Sequence, residues 1–148
     1  MTISIDKNVL TRLAKATTGL MALIVGGLIY IRYRSDSLLM FDWFHYFNIS
    51  DFISSIRSNS EDSNIYEWVI YNMPAGLWLF AYLLIIDAIW GNEKNAQYLC
   101  HLYILPILAI VSELMQFFGG LPGTFDFLDL ISYVCAILLF IIIKKVQL

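Results

Sequence analysis

Three carboxylates in the C-terminal third of the chain are placed where they could do chemistry. Glu113 lies between Ser112 and Leu114 in an apolar segment, and Asp126 and Asp129 open the next one. Unpaired burial of such a group costs several kcal/mol. These side chains could act as general acids or bases, as oxygen ligands of a divalent cation, or as acceptors for the polar head of a ligand. The alternative for the two aspartates is structural, because an acid at a helix N-terminus gains about 0.3–1 kcal/mol from the helix dipole.

Helical spacing gathers further polar side chains around these acids. The Glu-x-x-Gln and Asp-x-x-Asp-x-x-x-Tyr patterns each place their polar residues on one helix face. Only a short glycine- and proline-containing turn separates the two segments, so we expect an antiparallel hairpin whose polar faces lie at one depth. An asparagine about one turn inside an earlier apolar segment should reach a similar depth. The residues predicted to line this ligand-binding pocket are Glu113, Gln116, Asp126, Asp129, Tyr133 and Asn72.

The composition indicates that a membrane positions these groups. Of 148 residues, 59% are apolar and 14% charged, whereas soluble domains have about 45–50% apolar and about 25% charged residues. A spanning helix needs about 20 mostly apolar residues. We therefore expect one all-α membrane domain over residues 1–148, a bundle of four transmembrane helices at residues 13–31, 68–86, 95–118 and 126–143.

The distribution of Lys and Arg favours an orientation with both termini in the cytoplasm. The net charge of -3 argues against nucleic acid as a partner. No small-residue cleavage site follows the first apolar segment, so we expect a retained helix and not a signal peptide. In this orientation the cytoplasmic side holds six of the nine cationic side chains, namely Lys7, Arg12, Lys15, Lys94, Lys144 and Lys145.

Residues 32–67 are predicted to form an aromatic, amphipathic outer loop between the first two spans. Five aromatic residues fall within residues 38–47, and apolar residues recur at helical spacing from residue 49 onward. Asn48 is the expected N-cap of that helix, and Asn64 that of the second span. The loop should lie at the membrane interface or pack over the bundle, and in either arrangement it would roof the polar pocket.

Small residues and prolines mark the spans themselves. Thr18, Ala22 and Gly26 recur every four residues, a spacing that lets two helix backbones approach closely in lipid. This helix-packing face predicts either a homo-oligomer interface or packing against the other helices of the same chain. Pro74 and Pro106 lie inside the second and third spans, where we expect each to kink its helix.

The C-terminal part of the chain resembles the signature of VanZ-like membrane proteins. The segments that carry the likeness are Glu113-Leu-Met-Gln116 and residues 121–133, Leu-Pro-Gly-Thr-Phe-Asp-Phe-Leu-Asp-Leu-Ile-Ser-Tyr. The likeness covers residues 105–140 and extends loosely to residues 74–79. Many family members carry an arginine after the turn glycine and an asparagine after the second aspartate, where this chain has Thr124 and Tyr133. The missing arginine removes a natural partner for the acids or for an anionic head group.

This resemblance implies a multi-pass protein of the bacterial cytoplasmic membrane. The family is associated with the cell envelope and with low-level resistance to the glycopeptide antibiotic teicoplanin, and it implies no agreed reaction. Our leading hypothesis is therefore a protein that binds an amphiphile in an acidic pocket of the outer leaflet. The amphiphile would be a membrane lipid, a polyprenyl-linked precursor or a lipoglycopeptide.

Two alternatives belong to other functional classes. A structural or transport homo-oligomer would assemble through the small residues of the first span. A metal-dependent membrane enzyme acting on a lipid head group would use Glu113 as general base, with Asp126 and Asp129 holding a metal or a water. Without catalysis, Glu113, Asp126 and Asp129 could together bind one Mg²⁺ or Ca²⁺. No phosphate-binding loop, zinc-binding His-Glu-x-x-His helix or serine elbow occurs in the sequence, so we favour binding over catalysis and expect no cofactor.

Overall fold

A computed structural model describes residues 6–57 and 67–146, and this part of the chain is helical without strands. The helices are α1 (Lys7–Tyr33), α2 (Leu39–Tyr46), α3 (Ser50–Arg57), α4 (Glu67–Tyr71), α5 (Met73–Trp90), α6 (Ala96–Phe117) and α7 (Phe127–Val146). Among the described residues, four helices are long and apolar enough to cross a membrane: α1, α5, α6 and the Phe127–Lys145 part of α7. The prediction of an all-α, multi-pass membrane protein is confirmed. The expected cap Asn64 lies outside the described residues.

The second predicted span is divided into two helices. α4 ends at Tyr71 and α5 begins at Met73, so that Pro74 stands in the first turn of α5. A missing N–H costs no hydrogen bond there, and the expected kink is replaced by a break at Asn72. The Asn72 side chain makes no capping hydrogen bond within α5. Its amide is therefore available to a neighbouring helix.

α5 is the central helix of the bundle. Lys15, early in α1, contacts Asp87, late in α5, so these two helices are antiparallel. Gly76 meets Ser132 near the starts of α5 and α7, which run parallel. Tyr98, at the start of α6, contacts Asp87, and α6 is therefore antiparallel to α5. The core between α5, α6 and α7 consists of Leu79, Leu83, Leu84, Tyr98, Leu102, Ala136 and Phe140.

Two buried glycines let α1 pack closely on α5. A Cβ atom at Gly19 would lie 2.9 Å from Ile85 Cγ1 and 3.1 Å from the Ala81 carbonyl oxygen. At Gly26 it would lie 2.7 Å from Nε1 of Trp78. Lipid tails are as apolar as the helices, so such close van der Waals contact is what favours helix association in a bilayer.

The aromatic segment forms α2 and α3, and Asn48 has a different role from the one predicted. Asn48 adopts a left-handed conformation with φ of 55° after the end of α2. Its N–H donates to the His45 carbonyl (3.1 Å), and the Ile49 N–H donates to the Phe44 carbonyl (3.0 Å). This is the Schellman arrangement, which asparagine tolerates better than most residues. The expectation that Asn48 caps the following helix is therefore wrong, because it terminates the preceding one.

α2 and α3 pack against each other, and α3 packs against α1. The backbone carbonyls of Ile31 and Arg34, at the end of α1, both accept hydrogen bonds from Arg57, and Arg57 also pairs with Asp36 (2.5 Å). The carbonyl of Ile56 accepts a hydrogen bond from Arg32 (2.8 Å). These contacts fix the described part of the aromatic segment to the end of α1. Residues 58–66 of the loop predicted to roof the polar pocket lie outside the described residues.

Candidate functional site

The predicted pocket residues meet where α5 and α7 begin and α6 ends, a region we call the Asn72 end. The amide nitrogen of Asn72 donates to Asp126 Oδ2 (2.7 Å) and to Asp129 Oδ1 (3.0 Å). Asn72 is 3% exposed, so both donors of its amide are used inside the protein. One neutral side chain thus holds two carboxylates side by side. We call Asn72, Glu113, Asp126 and Asp129 the acidic cluster.

Glu113 reaches the acidic cluster from α6. Its side chain is buried, and Oε2 accepts the backbone N–H of Asp126 at 3.3 Å. Backbone N–H groups at a helix N-terminus lack partners within the helix, and the helix dipole favours an anion there. The N-terminus of α7 therefore accommodates the Glu113 carboxylate.

The Asp126 side chain forms one local and one interhelical hydrogen bond. Its Oδ1 accepts the backbone N–H of Leu128 (2.8 Å), as a side chain at a helix N-terminus does, and its Oδ2 accepts the Asn72 amide. Asp129 differs, because the Asn72 amide is its single hydrogen-bond donor among the described residues. One oxygen of Asp129 is therefore available to a ligand.

The remaining two predicted pocket residues lie at the edge of the acidic cluster. Gln116 packs against the turn after α6, where a Cβ atom at Gly123 would lie 2.8 Å from its Nε2. Tyr133 packs against the core, within electrostatic range of Asp129 and Glu113. Neither residue forms a hydrogen bond with the acidic cluster in the described part of the chain.

A cation that the sequence analysis missed approaches from the end of α1. Arg34 donates to the Tyr71 carbonyl (3.1 Å), one residue before Asn72, and lies within electrostatic range of Asp129. Its guanidinium carbon is 5.1 Å from each of the ring centroids of Tyr30 and Tyr71. The buried Nε has no partner among the described residues. Arg34 thus brings a positive charge from elsewhere in the chain to the cluster whose own turn lacks the arginine of the VanZ-like signature.

The acidic cluster is not arranged as a metal site. Within residues 6–57 and 67–146, no three His, Cys, Asp or Glu side chains are disposed to hold one ion. The geometric reason is that the Asn72 amide lies between the two aspartates, while Glu113 faces a backbone N–H. The divalent-cation interpretation of Glu113, Asp126 and Asp129 receives no support from this geometry.

An apolar cavity of about 210 Å³ lies between α5 and α7, directly beside the acidic cluster. Gly76 permits the close approach of the two helices, since a Cβ atom there would lie 3.0 Å from the Ser132 carbonyl oxygen. Ser132 is 5% exposed, and its hydroxyl has no hydrogen-bond partner among the described residues. Buried polar atoms are nearly always paired, so the Ser132 hydroxyl is an exception among the described residues. The side chains that line the α5–α7 cavity include Trp68, Met73, Leu77, Phe80, Cys135 and Leu139.

The opposite end of the bundle, which we call the Asp87 end, contains an ion network that the sequence analysis also missed. Asp87 is 1% exposed and accepts hydrogen bonds from Lys15 (2.7 Å), Lys94 (2.6 Å) and Tyr98 (2.6 Å). Arg12 donates to the carbonyls of Ala88 (2.8 Å) and Ile89 (2.9 Å) at the C-terminus of α5. From the sequence, Asp87 is expected only to mark a turn, because no sequence pattern indicates that Lys15 of α1 lies beside it.

The three predicted helix-packing residues of α1 differ in burial. Gly26 is buried against α5, Ala22 is half-buried and Thr18 is exposed. Gly26 is therefore engaged within the chain itself, where it works together with Gly19 instead of Thr18. An oligomer built on the predicted face would have only Thr18 and part of Ala22 to use.

Searches for related proteins give no further guide to the function. No family model, no curated protein and no solved structure matches the chain.

Proposed function

We propose that this chain is a VanZ-like protein of the bacterial cytoplasmic membrane that binds an amphiphile. The polar head would bind at the acidic cluster, and one apolar tail would enter the α5–α7 cavity. The observation that carries the proposal is the position of the cavity. Met73 on its wall directly follows Asn72, and Ser132 lies one helical turn after Asp129. The site thus offers polar and apolar surface in the order that an amphiphile needs.

The charges of the site favour a head group with an amine or several hydroxyls. Within residues 6–57 and 67–146, Asp129 has an oxygen without a donor, and Glu113 accepts a single long hydrogen bond at 3.3 Å. Both are acceptors that an ammonium or hydroxyl group would satisfy. Arg34 can hold a phosphate on the other side of the same head group. A zwitterionic or sugar-bearing lipid meets both requirements.

In this proposal the Asn72 end faces the outside of the cytoplasmic membrane. The Asp87 end holds Arg12, Lys15, Lys94, Lys144 and Lys145, and cytoplasmic flanks carry the excess of Lys and Arg. The pocket would then lie in the outer leaflet, the location expected of a protein linked to glycopeptide resistance. A periplasmic and a cytoplasmic reporter fused after residue 60 test this orientation, and activity of the cytoplasmic reporter would contradict it.

Native mass spectrometry of the protein released from its own membranes tests binding. We expect a lipid-sized adduct on the wild-type chain that is lost from Glu113→Gln and Asp129→Asn. The matched control is Glu93→Gln, an exposed acid in the turn between α5 and α6, which should keep the adduct. A wild-type chain without any adduct would leave the acidic cluster as an interhelical contact and contradict the proposal.

The two cysteines provide a second test in the unmodified chain. Both are free and exposed, and Cys135 lines the α5–α7 cavity, whereas Cys100 lies near the Asp87 end. Adding back the amphiphile identified by mass spectrometry should slow alkylation of Cys135 by a maleimide and leave Cys100 unchanged. Equal alkylation rates of Cys135 with and without the amphiphile would show that the cavity is not part of the binding site.

A further inference from the structure

A second apolar groove lies at the Asp87 end, between α6 and α7. It has a volume of about 460 Å³, and Leu83 of α5 forms its floor. Pro106 and Ile107 form one wall, and Phe140 contributes to the other. The groove is bounded at the Asp87 end by two lysines, Lys144 and Lys145. We call it the α6–α7 groove. The α5–α7 cavity lies elsewhere in the bundle, beside the acidic cluster.

The two lysines at this groove differ from the other cations of the Asp87 end. Lys15 and Lys94 both form ion pairs with Asp87. Lys144 donates instead to the Tyr98 hydroxyl (3.1 Å), and its ammonium lies 5.8 Å from the Phe140 ring centroid. In the described part of the chain, no carboxylate lies within ion-pair distance of Lys144 or Lys145. Among residues 6–57 and 67–146, the groove thus ends at two lysines that form no ion pair.

The location and dimensions of the groove match one leaflet of a membrane. Ile137 also lines it, and the segment from Ile137 to Lys144 rises about 10 Å along α7. One leaflet of the hydrocarbon core is about 15 Å thick. Lysines at the end of a spanning helix extend their ammonium groups to the level of the lipid phosphates. Basic pockets between spanning helices are suited to anionic head groups.

We propose that the α6–α7 groove binds one acyl chain of an anionic phospholipid from the adjacent leaflet, with its phosphate on Lys144 and Lys145. The occupant follows from charge complementarity, because the lysines need an anion and the groove beside them is apolar along its length. A zwitterionic lipid would bring its own cation toward the same lysines and would bind less well.

The test is a titration of the purified full-length chain in detergent, followed by native mass spectrometry. The probes are phosphatidylglycerol and phosphatidylcholine with identical acyl chains. We expect phosphatidylglycerol to bind more tightly, and Lys144→Gln combined with Lys145→Gln to weaken it by about thirty-fold, given the usual gain per basic residue near an anionic surface. Lys7→Gln, an exposed lysine in the first turn of α1, is the matched control and should change little.

Two further measurements keep the result interpretable. Lys145→Gln alone leaves the contact of Lys144 with Tyr98 intact and should still weaken phosphatidylglycerol several-fold. Ile107→Trp should fill the groove and weaken binding with both lysines present, whereas Ile104→Trp, on an exposed position of α6 outside the groove, should not.

Several outcomes would overturn the inference. Equal binding of the two lipids would show that the charge of the head group does not contribute to binding. Full competition by inorganic phosphate would show that the groove does not contribute. An Ile107→Trp chain that binds like the wild type would do the same. A lipid-free dimer whose formation excludes phosphatidylglycerol would assign the groove to a second copy of the chain.

The Asp129→Asn variant distinguishes this inference from the proposed function. We expect it to lose the adduct at the acidic cluster and to bind phosphatidylglycerol as the wild type does, which would support two separate sites.

Discussion

The two ends of the bundle handle buried charge in opposite ways. At the Asp87 end, one carboxylate is surrounded by Lys15, Lys94 and Tyr98, so donors outnumber acceptors. At the Asn72 end, three carboxylates share one amide and a few backbone N–H groups, so acceptors outnumber donors. The ends are separated by about 22 Å along α5. A carboxylate whose hydrogen-bonding capacity is satisfied serves the fold, whereas spare acceptors leave room for a ligand.

The difference also concerns the origin of the partners. Asp87 joins three spanning helices, because Lys15 comes from α1 and Tyr98 from α6. The acidic cluster is held by the side-chain amide of Asn72 and by the N-terminus of α7, where backbone N–H groups lack partners within the helix. We therefore expect substitutions at the Asp87 end to act mainly on stability and those at the Asn72 end to act mainly on binding.

The largest effect is expected from Asp87→Ala. It leaves the ammonium groups of Lys15 and Lys94 and the hydroxyl of Tyr98 without their shared acceptor, and breaking such a buried pair costs about 3–5 kcal/mol. The measurement is unfolding in mixed micelles with increasing SDS, followed by circular dichroism. Glu93→Ala, in the exposed turn nearby, is the control. Equal midpoints for the two variants would contradict a structural role for the Asp87 network.

Asn72→Ala should have the next largest effect. It removes two hydrogen bonds to charged acceptors, each contributing about 1.5–3 kcal/mol, although water or lipid head groups at the membrane surface will recover part of this. The same SDS titration gives the stability, and native mass spectrometry gives the retained adduct. We expect the adduct to disappear at SDS concentrations where the chain is still folded. If the Asn72→Ala chain is unfolded even without SDS, the Asn72 end contributes to stability as much as the Asp87 end does.

Gly76→Ala sharpens the comparison, because it acts on α5 and α7 only beside the acidic cluster. The new Cβ would lie 3.0 Å from the Ser132 carbonyl oxygen, and overpacking of this kind costs about 1–3 kcal/mol. The control is Gly27→Ala, whose Cβ meets nothing within 4 Å. We expect the control to be neutral or slightly stabilised in the SDS titration. A Gly76→Ala chain that is as stable as the control would show that the two helices are not tightly packed at this point.

The smallest effect is expected from Arg34→Gln. It removes the guanidinium that contacts Tyr30 and Tyr71, a cation–π contribution of about 0.5–1 kcal/mol at an exposed site. Arg34→Lys keeps the charge but loses the planar stacking, so the pair separates the two contributions. We expect Arg34→Gln to lose the lipid adduct and Arg34→Lys to retain part of it. Full retention by both would exclude Arg34 from the head-group site.

The sequence predicted the spanning segments well because their signal is local. An apolar run of the length needed to cross a bilayer is visible in the sequence itself. The helices α1, α5, α6 and α7 correspond to the four predicted spans, and the first residues of the second span lie in α4. The hairpin of α6 and α7 was predictable from the short turn and its glycines, and with it the meeting of Glu113 and Asp126. Asn48 was misassigned because an asparagine between two helices can end the first or begin the second, and the sequence pattern is the same.

The tertiary structure alone decided which charged side chains of different helices lie close together. The distance along the chain from Lys15 to Asp87, or from Arg34 to Asp129, carries no information about their proximity, because it depends on the order in which the helices pack around α5. The helices approach closely at Gly19, Gly26 and Gly76, and the partners of these glycines are recognised only in three dimensions. The sequence determined a multi-pass helical membrane protein with three costly carboxylates at one end. Their donors, the neutralised Asp87 and the two apolar grooves are consequences of packing.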